Sequence, residues 1–120
     1  MRWPLALAFT VLMIGVVLGA FGAHGLKNRL TVDMMAVYQT AVQYHFWHGL
    51  GLVALAILLA LQPASGFLWA YLLMAVGVLL FSGSLYALSI TGIKILGAIT
   101  PIGGLLLIMA WLTAAITAWR

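Results

Sequence analysis

The sequence predicts an all-α integral membrane protein: a four-helix bundle with short loops and antiparallel neighbouring helices. Three observations carry that prediction. The 120 residues are 67% hydrophobic and only 5% charged, whereas a soluble domain is about 25% charged. Four stretches are each long enough to cross about 30 Å of hydrocarbon, which takes about 20 apolar residues. Between them stand short segments rich in Gly, Pro, Asn, Ser and charged residues, the signals of helix ends and turns. The chain reads as one transmembrane domain, residues 1–120, with spans near 3–23, 35–61, 67–90 and 95–119.

The first span follows Arg2. Ala20-Phe21-Gly22 loosely resembles a signal-peptide cleavage site, but the apolar run is longer than a signal peptide needs, so the span is expected to be retained. Gly25, Lys27 and Arg29 suit a helix C-terminus, where free carbonyls attract cations. Gly15, Gly19 and Gly22 form a stripe of small residues for close helix packing.

The second span opens with Thr31 or Asp33 as its cap. From Asp33 to Leu61 it is about 42 Å long, so its first turns reach the headgroups or the helix tilts. At 100° per residue, Tyr38, Ala41, His45 and His48 share one face. Gln39 and Gln43 lie on another, which can meet headgroups or a second subunit.

Gln62-Pro63-Ala64-Ser65-Gly66 breaks the second span from the third. The third carries Ser82, Ser84 and Tyr86 in its last half, and Thr91-Gly92 ends it. The fourth contains Thr100-Pro101-Ile102-Gly103-Gly104. Either Thr100 caps a helix that begins at Pro101, or Pro101 kinks a continuous helix. The kinked helix over about 95–119 is the expectation. Gly103 and Gly104 join Gly15, Gly19 and Gly22 as packing positions.

Four spans put both termini and the middle loop on one side, the tail side. Trp3, Trp69 and Trp119 then share the tail-side interface, where indole rings belong. The tail side holds Arg2 and Arg120 and the other side Lys27, Arg29 and Lys94, so charge does not fix orientation.

The polar residues gather opposite the tails. His24, Tyr38, Gln39, Gln43, His45, His48, Ser82, Ser84, Tyr86 and Thr100 are the candidates for a ligand or proton site. His45 and His48, at i and i+3, could ligate one metal with His24 approaching. No carboxylate flanks them to orient an imidazole, however, so no metal and no cofactor is predicted. Asp33 is the one acidic residue, which leaves no carboxylate pair, and no enzyme is expected. With no cysteine, thiol chemistry and disulfides are excluded. The net charge of +4 is scattered, which argues against nucleic acid as a partner.

The chain resembles the YgdD-like family of small bacterial membrane proteins. Gly19-Ala20-Phe21-Gly22-Ala23-His24-Gly25-Leu26 looks like its signature after the first span. Tyr38-Gln39-Thr40-Ala41 with Tyr44, His45 and His48 resembles its second-span pattern, and Phe81-Ser82-Gly83-Ser84-Leu85-Tyr86 its third. Thr100-Pro101-Ile102-Gly103-Gly104 followed by Trp111 resembles the fourth. The resemblance implies a multi-pass protein of the bacterial inner (plasma) membrane with both termini in the cytoplasm and no assigned activity. This chain departs from the family in having no charge in its middle loop and only Arg120 in its tail.

Two functions are expected from the residues ahead of a third, a metal or haem protein held by the histidines. In one, a polar half-bundle lined by His, Tyr and Ser binds or conducts a small ligand, proton or ion. In the other, the protein is a non-catalytic accessory or structural subunit. Its partners are the lipid bilayer and either a second copy of itself or another membrane protein.

Overall fold

In the computed structural model residues 2–120 are described, and four α-helices make up most of them, with no strand among the described residues. All four are long and apolar enough to cross a membrane. α1 spans Trp3–His24 with Pro4 in its first turn, where a missing N–H costs nothing. It ends at Gly25, whose N–H donates to the Phe21 carbonyl. α2 spans Val32–Leu61 and is capped by Thr31, whose hydroxyl accepts from the Met34 N–H at 3.1 Å. Asp33 lies in the first turn, near the positive end of the helix dipole.

Ser65 organises the middle loop. Its hydroxyl donates to the Gln62 carbonyl at 2.6 Å and accepts from the Phe67 N–H at 3.3 Å. α3 then runs Phe67–Thr91 and stops at Gly92, in the left-handed region at φ +73°, where a side chain would be strained.

The fourth span has the expected extent, Lys94–Trp119, but is not one continuous helix. α4 covers Thr100–Trp119, and Lys94–Ala98 forms a separate 3-10 turn, so the helix does not begin near residue 95. Pro101 sits in the first turn of α4 and starts a helix instead of kinking one. The reason is local: its fixed φ fits the first turn, and its missing N–H would leave a gap farther inside. Thr100 is not the cap either. Ile99 holds that position, and the Thr100 hydroxyl bonds to Ser84 at 2.6 Å.

The helices pack in chain order, α1 on α2, α2 on α3 and α3 on α4. α2 and α3 form the centre. The largest apolar core joins Leu52, Leu55 and Leu59 of α2 with Phe67, Tyr71 and Met74 of α3 and Leu107 of α4. It fills the tail-side half. The buried polar side chains His45, His48, Ser82, Ser84 and Ser89 lie beyond it, toward the other end. The molecule is 48 Å long, more than the hydrocarbon thickness of about 30 Å. Its outer surface is apolar, with Phe9, Val17, Leu79, Leu105 and Ile108 exposed, as a lipid-facing surface requires.

Candidate functional site

The seat of α1, from the apolar half into the polar half, is built on bare backbone. Three buried rings donate to carbonyl oxygens of α1. Tyr71 reaches the Pro4 carbonyl at 2.6 Å, His45 Nε2 the Val11 carbonyl at 2.7 Å, and Tyr38 the Leu18 carbonyl at 2.5 Å. The acceptors are seven residues apart. One turn after each stands a small buried residue: Ala8, Gly15 and Gly22. A Cβ at Gly22 would strike the Tyr38 ring, and one at Gly15 would lie 3.3 Å from His45 Cδ2. The small residues thus open the access through which the rings reach the backbone. Tyr38 and His45 are also seven residues apart, matching Leu18 and Val11 in antiparallel register. A seven-residue repeat on both partners gives coiled-coil-like packing.

His45 is held from two sides. A carbonyl can only accept, so in the neutral ring Nε2 carries the proton and Nδ1 accepts. The donor to Nδ1 is the Tyr86 hydroxyl of α3 at 2.8 Å. Tyr86 in turn packs edge-on against Tyr38, with centroids 5.2 Å apart. One turn from Tyr86, the Ser82 hydroxyl donates to the Ala41 carbonyl at 2.8 Å. Tyr38, His45, Ser82 and Tyr86 therefore form one cluster between α1, α2 and α3.

Beside the cluster lies a groove of about 440 Å³ between α1 and α3, with His45 and Leu52 of α2 among its lining residues. Its walls are Val11, Ile14 and Leu18 on one side and Val78, Leu79 and Gly83 on the other. Exposed Ile14 and Leu79 form its lips toward lipid. Its lining is apolar except where His45, Ser82 and Tyr86 meet it.

His48 belongs to a different contact. Its Nδ1–H donates to the Tyr44 carbonyl at 2.8 Å, and its Nε2 accepts from the Trp111 indole of α4 at 3.0 Å. The two histidines thus bond to different helices, and their ring nitrogens do not converge. His24 is exposed at the end of α1, about 20 Å of helix rise beyond Val11, and does not approach them. Asp33 is exposed about 18 Å before His45 along α2.

The remaining candidates divide. Ser84 bonds to Thr100 and to the Phe81 carbonyl, joining α3 to the start of α4. Gln39 and Gln43 are exposed on the outer face of α2 and take no part in the cluster. Among the packing glycines, Gly103 presses on the Phe81 backbone, while Gly19 and Gly104 have ordinary van der Waals room at 3.6 Å. Tyr71, Gly83 and the Val11 carbonyl were not among the sequence candidates. Tyr71 carries a visible signal, as a hydroxyl inside an apolar run. A backbone acceptor carries none.

Residues 18–104 match the family described as "Protein of unknown function (DUF423)". This chain belongs to the DUF423 family. Its relatives agree along almost their whole length. A UPF0382 membrane protein of Staphylococcus haemolyticus is 47% identical over 108 residues, covering 90% of this chain and 88% of the relative. The UPF0382 membrane protein YwdK of Bacillus subtilis is 47% identical over 107 residues, 88% of this chain and 87% of its own. The UPF0382 inner membrane protein YgdD of Escherichia coli is 34% identical over 119 residues, 99% and 91% of the two chains. No solved structure matches. Together with the four spans, these relatives make this DUF423 chain a multi-pass inner-membrane protein.

Proposed function

We propose that this DUF423 protein is a non-catalytic intramembrane binding protein that takes an apolar chain into the groove between α1 and α3. The observation that carries this reading is Gly83. It sits inside α3, where glycine costs about 1 kcal/mol relative to alanine. A Cβ there meets nothing within 4 Å, so no internal contact demands a glycine. What the missing side chain provides is room in the groove, beside Ser82 and Tyr86.

Binding accounts for the interior better than conduction does. No buried side-chain nitrogen or oxygen among the described residues lacks a hydrogen-bond partner. The groove's lining includes the exposed Ile14 and Leu79 on the apolar outer surface, which suits entry from lipid. With both termini in the cytoplasm, as the family resemblance implies, the cluster lies toward the outer leaflet; reporter fusions at the C-terminus test that placement. The second reading, an accessory subunit, draws on the outward-facing Gln39 and Gln43.

Native mass spectrometry from mild detergent tests the groove. The wild type is expected to carry the added mass of a lipid or another long-chain molecule. Gly83→Leu, which fills the open space, is expected to lose it. A bare wild type, or equal loading of the variant, overturns the reading.

A further inference from the structure

We infer that a second copy of this chain docks on the outer face of α2, through Gln43 and Trp47. The face is continuous: Ala36, Gln39, Gln43, Trp47, Leu50 and Ala54 are all exposed. Gln43 stands about 160° around the helix from both Ala41 and His45, so it points away from the protein. Its depth follows from the packing register. Val42 faces Gly19 on α1, which puts Gln43 level with about residue 18, roughly 9 Å of helix rise inside the end of α1. Ser82 bonds to Ala41, which puts Gln43 level with about residue 80, roughly 16 Å inside the end of α3. Both measures place a primary amide within the hydrocarbon, facing lipid.

Gln39 contacts the Met35 sulfur and Trp111 donates to His48, whereas the Gln43 amide and the Trp47 indole N–H have no partner among the described residues. Trp47 is 55% exposed and deeper still, away from the interface that indoles prefer. Polar side chains inside a bilayer are satisfied by neighbouring helices, because lipid offers no hydrogen bond.

The chemistry selects a second copy. Two copies with the same membrane topology are related by a two-fold axis along the membrane normal, so each residue meets its own counterpart at the same depth. A glutamine amide carries both donor and acceptor, so Gln43 can pair with the partner's Gln43. Trp47, one turn away, adds a donor on each side. The interface uses neither the groove nor its lining residues, so it stands independently of the binding role.

The chain has no cysteine, so single-cysteine variants report contacts cleanly. In liposomes of phosphatidylethanolamine and phosphatidylglycerol, Leu50→Cys is expected to cross-link on oxidation, and Ile108→Cys on α4 is not. Single-molecule photobleaching of labelled protein is expected to show two steps. Gln43→Leu, a lipid-facing change that leaves the fold intact, is expected to weaken the dimer roughly tenfold. One-step bleaching of the wild type overturns the inference. So does a dimer that survives Gln43→Leu unweakened, or cross-linking through Ile108→Cys and not Leu50→Cys.

Discussion

Trp111 donates its indole hydrogen to His48 Nε2 at 3.0 Å, linking α4 to α2 although α4 packs its backbone on α3. Gly51 makes room for this contact, since a Cβ there would lie 3.1 Å from the Trp111 ring. The indole thus anchors the fourth span to the helix that carries both buried histidines. Replacing Trp111 with Phe keeps most of the ring but leaves His48 Nε2 without a donor. The expected loss is about 1 kcal/mol, read by reversible unfolding in micelles. The same indole proton is expected to exchange slowly with deuterium, while that of exposed Trp119 exchanges at once.

The His45–Tyr86 pair supports a double-mutant cycle. Tyr86→Phe removes one donor and is expected to cost about 1 kcal/mol. His45→Ala removes two bonds and leaves a cavity, so about 2–4 kcal/mol is expected. If the pair is bonded as described, the double variant costs less than the sum of the singles. Strict additivity would refute the bond.

Neighbouring glycines should behave oppositely. Gly103→Ala forces a methyl against the Phe81 backbone, which cannot move aside, and a loss of about 1–3 kcal/mol is expected. Gly104→Ala meets only the Phe81 ring at 3.6 Å and should be neutral or gain up to about 1 kcal/mol from helix propensity. On α1, Gly22→Ala and Gly19→Ala should repeat the contrast. Thermal unfolding of the four single variants decides it.

Pro101→Ala distinguishes a helix start from a kink. In the first turn of α4, proline displaces no hydrogen bond, so the change should alter stability by less than about 1 kcal/mol. A proline interrupting a longer helix would instead give a gain of about 3 kcal/mol when replaced.

The spans were legible because membrane thickness, glycine, proline and charge act locally. Thr31, Gly66 and Gly92 flank their helices where the sequence indicates breaks. Pro101 satisfied two local rules at once, and only the path of residues 94–98 separated them. The clustering of polar residues was visible, but not its division. His45 and His48 stand about 60° apart on α2, close enough to share a face on a helical wheel. Wedged between neighbours, α2 turns that small angle into two destinations, Val11 with Tyr86 for one ring and Trp111 for the other. The glycine stripe was legible as packing. That Gly15 and Gly22 expose carbonyls to ring donors was not, because every residue has a carbonyl and the letters do not mark which ones are used.

The three ring-to-carbonyl bonds along α1 have an evolutionary consequence. Tyr71, His45 and Tyr38 grip atoms common to all amino acids, so part of the hold on the first helix does not depend on its letters. The small residues at positions 8, 15 and 22 let the rings through, while Leu5, Val11 and Leu12 add side-chain contacts with the neighbouring helices. The lipid-facing positions of α1, such as Phe9, Val16 and Val17, are free to change among apolar residues without disturbing how the helix seats.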